Sequence, residues 1–200
     1  MTVPRSRPGA LPNGFTILRI ILTLVIMGVV FLPGGAAKLW ALGLFLLAAL
    51  TDWLDGYLAR RWHQVTALGI LLDPIADKVL VVGLLLAFVQ LKLIPAWMVL
   101  VIVLREFLIT GVRLYAATRQ IVIPAAREGK HKTVSQMATI FVILAVLAVE
   151  ELAPAPGGNR RQLLAWLISG CMWITVALTV FSGASFFWRN RSLLRDAIAR

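Results

Sequence analysis

Six long apolar runs dominate the sequence and limit the folds that it can adopt. Each is close to the length of roughly 20 residues with which an α-helix crosses a bilayer, and a helix satisfies its own backbone hydrogen bonds there. The mean hydropathy of +0.88 and the 14% of charged residues point the same way. We therefore predict an all-α integral membrane protein that forms a single membrane-embedded domain over residues 1–200. The predicted spans cover roughly residues 15–33, 38–58, 68–90, 95–117, 133–150 and 163–187.

The distribution of the 20 lysines and arginines predicts how these spans are oriented. With six spans, the loops alternate between two sides of the membrane. The side that carries both termini holds the larger set of basic residues: Arg5, Arg7, Arg60, Arg61, Arg119, Arg127, Lys130, Lys132, Arg189, Arg191, Arg195 and Arg200. The opposite side holds only Lys38, Lys92, Arg160 and Arg161. The positive-inside rule therefore places both termini in the cytoplasm.

The net charge of +11 does not require a nucleic-acid partner. No nucleic-acid-binding motif accompanies it in the sequence, whereas basic loops beside a membrane attract anionic lipid head groups. We therefore expect membrane lipids, and no nucleic acid, among the partners. The single cysteine, Cys171, lies within the last predicted span, which excludes an intramolecular disulfide and predicts a packing role.

Four aspartates interrupt the second and third spans near their predicted cytoplasmic ends. Asp52 and Asp55 are three residues apart, and Asp73 and Asp77 are four residues apart, so each pair shares one face of its helix. The same faces carry three small residues and one cation, Gly56, Ala59, Gly69 and Arg60. If the two faces meet, four carboxylates converge.

Such a cluster cannot remain ionised by itself, because like charges repel and a charge at the bilayer centre costs about 3 kcal/mol. Three outcomes are open: some acids are protonated, a cation such as Arg60 neutralises them, or divalent metals bind. Carboxylate oxygens suit Mg²⁺ or Mn²⁺, and two such ions would fit a displacement at phosphorus. Helix packing through the small residues and an ion-coupled transporter with aspartate proton relays are the alternatives.

The aspartates belong to a longer pattern. The stretch "DWLDGYLARRWHQVTALGILLDPIAD" (52–77) reads D-x-x-D-G-x-x-A-R, eight residues, then G-x-x-x-D-x-x-x-D. It resembles the signature of the CDP-alcohol phosphatidyltransferase family at every signature position, and the six-span organisation is similar to that family's fold. The resemblance implies an enzyme that transfers a phosphatidyl group from CDP-diacylglycerol to an alcohol and releases CMP.

The resemblance also implies a role for each signature residue. Two divalent cations, Mg²⁺ or Mn²⁺, would be bound on the diphosphate by the four carboxylates, Asp52, Asp55, Asp73 and Asp77. Of these, Asp77 would also be the general base that deprotonates the acceptor hydroxyl. Room for cytidine and ribose would come from Gly56, Ala59 and Gly69, and Arg60 would contact phosphate or pair with the acids. The family further implies a homodimer in the bacterial inner (cytoplasmic) membrane, with its active site facing the cytoplasm.

The first span opens with "LPNGFTILR" (11–19), which is similar to the P-N-x-x-T-x-x-R entry of the family's bacterial glycerophosphate branch. Asn13 and Thr16 are polar, lie one helical turn apart and are candidates for contact with the CDP-lipid. Helix capping by Asn13, with Thr16 bonding back to the helix, is an equally open interpretation. Arg19 would be costly in lipid, so we predict that it faces the site.

Basic residues of the fourth and fifth spans indicate an anionic acceptor. In "VLREFLITGVRLYA" (103–116), Arg105 and Arg113 are eight residues apart and share a helix face, an arrangement that favours an anion. Pairing with Glu106 or with the aspartates accounts for one of these arginines more easily than for both. The stretch "REGKHKT" (127–133) is similar to the basic pattern of the glycerophosphate branch. The predicted acceptor-phosphate site therefore comprises Arg105, Arg113, Lys130, Lys132 and Arg127, with Thr133 as a possible hydroxyl donor.

On this hypothesis the acceptor is sn-glycerol 3-phosphate and the lipid product is phosphatidylglycerophosphate. An inositol phosphate would also need cations, and phosphatidylglycerol as the acceptor would give cardiolipin, so both stay open. A small cation-coupled transporter is the alternative from another class. His63 and His131 lie in predicted inward loops, and we expect them to contact solvent or head groups, because hard metals prefer carboxylates.

Overall fold

The computed structural model describes the backbone at residues 10–62, 67–120, 128–153, 158–191 and 193, and the side chains at residues 17–51, 78–120, 131–153, 159–191 and 193. This part of the chain is all-helical. Its helices are α1 (Ala10–Phe31), α2 (Gly35–Trp62), α3 (Ala67–Gln90), α4 (Ala96–Thr118), α5 (Glu128–Leu152) and α6 (Gly158–Arg189). Each predicted apolar run lies on one of these helices, so the prediction of six helices is confirmed.

Three helices begin five residues before the apolar runs that predicted them. The runs begin near residues 15, 133 and 163, whereas α1 begins at Ala10, α5 at Glu128 and α6 at Gly158. Hydropathy marks only the apolar part of a helix, while the helix itself continues wherever its backbone hydrogen bonds do. Since Asn13 lies inside α1, the interpretation of Asn13 as the N-cap is wrong. Pro12 is tolerated here, because it falls in the first turn of the helix.

A tight turn separates α3 from α4. The backbone N–H of Lys92 donates to the carbonyl of Val89 at 2.9 Å, and that of Leu93 donates to the carbonyl of Phe88 at 3.0 Å. Lys92 adopts a left-handed backbone conformation with φ of 59°, which is typical of a helix C-terminus. Pro95 then precedes α4 as its N-cap with extended φ and ψ of −76° and 140°. Proline at the helix start agrees with the prediction, because no intrahelical hydrogen bond is lost there.

The chain divides into two compact units. The first comprises Met1–Ala87 and Leu144–Pro156, and the second comprises Phe88–Ile143 and Gly157–Arg200. The first unit thus contains α1, α2, most of α3 and the end of α5, and the second contains α4, the first part of α5 and α6. The prediction of one catalytic domain over residues 1–200 stays a prediction.

In the first unit, α1 packs against α2. The turn between them is held by Lys38, whose ammonium donates to the backbone carbonyls of Val30 at 2.7 Å and Leu32 at 2.8 Å. Gly83 of α3 approaches α1 closely: a Cβ atom placed there would lie 3.0 Å from Met27 Sδ. The small residue therefore permits this approach of two helices, as small residues do in membrane proteins.

In the second unit, α4 packs against α6 and runs parallel to it. Near the start of α4, the rings of Trp97 and Trp173 meet edge to face with centroids 5.4 Å apart. Further along both helices, Arg105 Nη2 donates to Ser182 Oγ at 2.7 Å. Contacts that advance together along both sequences define a parallel pair.

A polar seam joins α5 to α6 within the same unit. The Oγ1 atoms of Thr139 and Thr175 are 2.9 Å apart. Thr139 Oγ1 also lies 3.3 Å from the carbonyl oxygen of Cys171, and Thr175 Oγ1 lies 3.2 Å from that of Ser135, so two hydroxyl protons serve three contacts. Here higher numbers in α5 meet lower numbers in α6, so these two helices are antiparallel. The hydroxyls thus contact one another and the backbone across the two helices.

Large apolar side chains cover much of the described surface, including Trp40, Phe107, Trp166 and Trp188. By length and composition, two helical stretches in the described part are able to cross a membrane: His131–Leu152 and Asn159–Arg189. Three shorter stretches there are also apolar, namely Ile17–Phe31, Gly35–Thr51 and Lys78–Gln90. Six complete spans and the cytoplasmic placement of the termini remain predictions.

Candidate active site

The aspartate signature lies on two consecutive helices. Asp52 and Asp55 belong to α2, and Asp73 and Asp77 belong to α3, so the helical backbone assumed for both pairs is present. The side chains of residues 52–77 lie outside the described part of the structure, and this range includes Gly56, Ala59, Arg60 and Gly69. The spacing on helical backbone places each aspartate pair on one face. Their convergence remains a prediction.

The polar entry of the first span lies on α1. The side chains of Asn13 and Thr16 are outside the described residues, but Arg19 is described and is only 2% exposed. The hydroxyl of Thr23, one turn further, donates to the carbonyl of Arg19 at 2.8 Å. Arg19 is therefore buried in protein, as its charge requires, and its predicted place at the site stays a prediction.

A cluster of charged side chains in the second unit contains two of the predicted acceptor-site cations. The carboxylate oxygen Glu106 Oε1 accepts a hydrogen bond from Arg105 Nη1 at 3.2 Å and another from Lys132 Nζ. The side chains of Arg105 and Glu106 are 15% and 14% exposed, and that of Lys132 is 7% exposed. Residues from α4 and α5 thus form one part-buried ionic group. Together with Ser182 of α6, which bonds to Arg105, we call it the Glu106 cluster: Arg105, Glu106, Lys132 and Ser182.

The fourth member of the cluster comes from α6. Ser182 Oγ accepts the hydrogen bond from Arg105 Nη2 and donates one of 3.3 Å to the carbonyl of Thr179. Gly183 follows it, and a Cβ atom there would lie 3.3 Å from Arg105 Cγ. The apolar stem of Arg105 therefore lies directly against α6, while its guanidinium is held by Ser182 and Glu106.

Arg113, the second predicted arginine of α4, also faces α6. Its Cζ lies 5.4 Å from the centroid of the Phe186 ring, a cation–π distance. The prediction that Arg105 and Arg113 share one helix face is confirmed by these contacts with a single neighbouring helix. In the described part of the chain, the buried Nε atoms of both arginines have no hydrogen-bond partner. Such donors are costly to bury unless an acceptor reaches them.

The remaining predicted residues of the acceptor site are less fully described. Arg127 lies outside the described residues, and Lys130 is described only as part of the α5 backbone. Thr133 and His131 are exposed near the start of α5, in agreement with the solvated position predicted for His131. His63 lies outside the described residues. Cys171 is a free thiol of intermediate burial on α6, beside the polar seam.

Ser182, Gly183 and Phe186 were missed in the analysis of the sequence. The polar and small residues of "FSGAS" (181–185) in an otherwise apolar span are the signal that could have revealed them. Their connection to Arg105 and Arg113 depends on the packing of α4 against α6, which residue spacing within one helix does not reveal.

Comparison with known proteins places this arrangement in a family. The profile of the CDP-alcohol phosphatidyltransferase family matches residues 9–181. The CDP-diacylglycerol–glycerol-3-phosphate 3-phosphatidyltransferase of Bacillus subtilis (strain 168) is 36% identical over 199 residues, which cover 94% of this chain and 98% of the relative. The protein of the same name from Rickettsia felis is 32% identical over 180 residues, covering 88% of this chain and 93% of the relative.

A third relative comes from Mycobacterium tuberculosis and is described as a probable phosphatidylglycerophosphate synthase. It is 36% identical over 182 residues, which cover 90% of this chain and 87% of the relative. The family match extends from α1 into α6 and includes the aspartate signature as well as the Glu106 cluster except for Ser182. This chain belongs to the CDP-alcohol phosphatidyltransferase family.

Proposed function

We propose that this chain transfers the phosphatidyl group of CDP-diacylglycerol to sn-glycerol 3-phosphate, giving phosphatidylglycerophosphate and CMP. The observation that carries the proposal is its identity of about a third, over nearly their whole length, to bacterial proteins named for this reaction. The part-buried cations of the Glu106 cluster support an acceptor that carries a phosphate, because arginine and lysine are the side chains that bind phosphate.

The reaction exchanges one phosphorus–oxygen bond for another. The acceptor hydroxyl oxygen attacks the phosphorus that carries the diacylglycerol, and the bond from that phosphorus to the bridging oxygen breaks. CMP leaves with the electron pair of that bond. The proton of the attacking hydroxyl passes to a general base, for which we propose the carboxylate of Asp77. The anhydride of the CDP-lipid supplies the energy, so no further nucleotide is consumed.

The donor set of the signature fits divalent metal. Asp52, Asp55, Asp73 and Asp77 offer only hard carboxylate oxygens, on helical backbone that gives each pair one face. These residues would hold two ions, Mg²⁺ or Mn²⁺. When bound, such ions neutralise the diphosphate and stabilise the negative charge on the departing CMP.

The CDP-lipid would be bound by the remaining signature residues and by the start of α1. We assign Asn13 and Thr16 to polar contacts with the nucleotide and Arg60 to a phosphate. Gly56, Ala59 and Gly69 would allow the cytidine and ribose to approach the helix backbones, because none of them carries a long side chain. The diacylglycerol chains would remain in the bilayer.

The phosphate of the acceptor would be bound by basic residues of α4 and α5 and of the segment before α5. These are Arg105, Arg113, Lys130, Lys132 and Arg127. The unpartnered Nε donors of Arg105 and Arg113 support this assignment for the two arginines, since an anion would satisfy them. A choline or ethanolamine acceptor carries a positive charge and would gain nothing from these cations.

The same proposal includes the setting of the enzyme. Residues 1–200 would form one catalytic domain with six membrane spans, both termini in the cytoplasm and the active site at the cytoplasmic face of the bacterial inner membrane. The excess of basic residues in the loops of that side supports this orientation. We further expect a homodimer, with membrane lipids around it.

The decisive experiment measures CMP release by the purified protein in detergent with CDP-diacylglycerol and Mg²⁺. Parallel reactions contain sn-glycerol 3-phosphate, inositol 1-phosphate, phosphatidylglycerol or serine. We expect release with sn-glycerol 3-phosphate alone. Asp77→Asn should lower the rate by about 10²- to 10⁴-fold, which is the usual contribution of a general base. Glu150→Gln, which neutralises a carboxylate outside the signature, is the matched control and should keep full activity.

Each other outcome changes a different part of the proposal. Release with another acceptor would keep the transferase reaction and overturn the assignment of sn-glycerol 3-phosphate. Release from Asp77→Asn at the wild-type rate would overturn the assignment of the base. Absence of release with every acceptor, from protein shown to be folded, would favour a cation-coupled transporter.

A further inference from the structure

The Glu106 cluster contains a feature that acceptor binding alone does not explain. A carboxylate lies part-buried between two cations that are proposed to receive a phosphate, and a negative charge there opposes the phosphate directly. Among the side chains of the second unit that the structure describes, Glu106 is the one carboxylate. A part-buried carboxylate is costly unless it is paired, and Arg105 and Lys132 supply that pairing.

The geometry shows what Glu106 does to its neighbours. One oxygen, Oε1, accepts from both Arg105 Nη1 and Lys132 Nζ, and therefore joins α4 to Lys132 of α5, 26 residues after Glu106. Without that oxygen the ammonium and guanidinium would repel each other, and both have long, flexible stems. The carboxylate thus keeps two like charges close together, as a phosphate with several oxygens requires.

Ser182 completes the restraint on Arg105 from the opposite side. Ser182 is 4% exposed, and its hydroxyl donates its proton to the Thr179 carbonyl, so its oxygen can accept from Arg105 Nη2. With Nη1 on Glu106 and Nη2 on Ser182, the plane of the guanidinium is fixed. The Nε–H then remains as a buried donor with no partner in the described residues.

We infer that Glu106 and Ser182 are positioning residues of the acceptor site, which hold Arg105 and Lys132 in the arrangement that receives the acceptor phosphate. This inference rests on the proposed function. Neither residue contacts substrate in it; both act through the two cations. The net effect of Glu106 on acceptor binding is favourable, although its own charge repels the phosphate, because the order it imposes on two cations outweighs that repulsion.

This inference is tested by the direction in which the KM for sn-glycerol 3-phosphate changes when Glu106 loses its charge. Glu106→Gln keeps the size of the side chain and removes its charge. We expect the KM for sn-glycerol 3-phosphate to rise about tenfold or more, as expected when charge-assisted hydrogen bonds are lost, with the KM for CDP-diacylglycerol within about twofold of wild type. Glu106→Asp should recover part of the loss. Glu151→Gln, which removes an exposed carboxylate at the end of α5, is the matched control and should change neither constant.

Ser182 provides the second variant, so that the test does not depend on one substitution. Ser182→Ala should raise the KM for sn-glycerol 3-phosphate about three- to tenfold, and Ser182→Thr, which retains the hydroxyl, should stay near wild type. Thermal unfolding in detergent is measured for every variant. A merely structural ion pair would lower the melting temperature and leave the ratio of the two KM values unchanged.

The outcomes separate the inference from the proposed function. Wild-type protein that releases no CMP with any acceptor overturns both. Active wild type with a lower KM for the acceptor in Glu106→Gln shows that the carboxylate only opposes the phosphate, and it overturns the inference alone. Active wild type with unchanged KM ratios in both Glu106→Gln and Ser182→Ala does the same.

Discussion

Two lysines, one in each unit, are buried to the same extent and are held in different ways. Lys38 and Lys132 are each 6% exposed. The ammonium of Lys38 donates to the backbone carbonyls of Val30 and Leu32, where α1 ends. The ammonium of Lys132 donates to the side chain of Glu106, which is shared with Arg105.

The difference is consistent with the proposal that Lys132, and not Lys38, contacts the acceptor. The carbonyls around Lys38 belong to the end of a helix, where four carbonyls lack intrahelical partners and the helix dipole favours a positive charge. They are fixed parts of the backbone, so Lys38 closes the turn between α1 and α2. Lys132 donates to a side-chain carboxylate, which belongs to a group rich in donors. In the proposed acceptor site, a phosphate would join that group without displacing a backbone contact.

The largest expected effect comes from Lys132→Met, which keeps the apolar stem and removes the charge. The specificity constant kcat/KM for sn-glycerol 3-phosphate should fall by about 10²- to 10³-fold, since a proposed phosphate contact is lost and the Glu106 carboxylate loses a buried partner. Initial rates of CMP release at varied acceptor concentrations measure it. A fall of less than threefold would show that Lys132 does not bind the acceptor, and the proposed functional difference between the two lysines would be wrong.

Lys38→Met should act on stability instead of on binding. Two carbonyls in the α1–α2 turn lose their donor, and we expect the free energy of unfolding to drop by about 2–3 kcal/mol. The KM for either substrate should stay at the wild-type value for the protein that remains folded. Unfolding in detergent and CMP release are measured together, with Lys92→Met, at an exposed lysine, as the matched control. Weakened acceptor binding in Lys38→Met would contradict the assignment of Lys38 to the stability of the turn alone.

Two glycines sharpen the same contrast. Gly83 lies against Met27 of α1, and Gly183 lies against the stem of Arg105. Gly83→Val should destabilise the protein by about 1–3 kcal/mol through overpacking and leave the KM values unchanged. Gly183→Val should displace Arg105 and raise the KM for sn-glycerol 3-phosphate several-fold. If Gly183→Val altered only the melting temperature, Arg105 would not need to lie where it does.

The smallest effect is expected in the polar seam. Thr139→Val removes a hydroxyl that bonds to Thr175 and to the Cys171 carbonyl, and interhelical hydrogen bonds in membrane proteins are worth about 0.6 kcal/mol on average. The unfolding free energy should therefore change by less than about 1 kcal/mol, and the KM values should not change. Thr139→Ser retains the hydroxyl and is the control. A large rise in the acceptor KM would show that the seam also orders Lys132.

The positions of the helices could be predicted because each apolar run is long and continuous. Their ends could not, since α5 begins among the polar residues that precede residue 133, and hydropathy says nothing about backbone hydrogen bonds there. In the site, the spacing of Arg105 and Arg113 was enough to predict that they share a face. The adjacency of Glu106 and Arg105 in the sequence is enough to predict that they can pair. The simultaneous contact of Glu106 with Lys132 depends on how α4 and α5 pack, which the sequence does not indicate.

Contacts made across a large sequence separation limited the prediction most. Ser182 is 77 residues from Arg105, and nothing in the period of either helix indicates that they touch. The aspartate signature was recognised for the opposite reason: its residues are close in sequence, and their order alone identified the family. Local patterns could thus be predicted from the sequence, whereas the contacts between α4 and α6 could not.

The separation of Arg105 from Ser182 also sets an order of events during synthesis. Lys38 finds its carbonyl partners eight and six residues back, so the turn between α1 and α2 can close as soon as α2 leaves the ribosome. Arg105 can bond to Ser182 only after 77 further residues have been synthesised. A nascent chain that has formed α4 but not yet α6 therefore carries an arginine that lacks its serine partner, so the proposed phosphate-binding residues of the second unit reach their final contacts last.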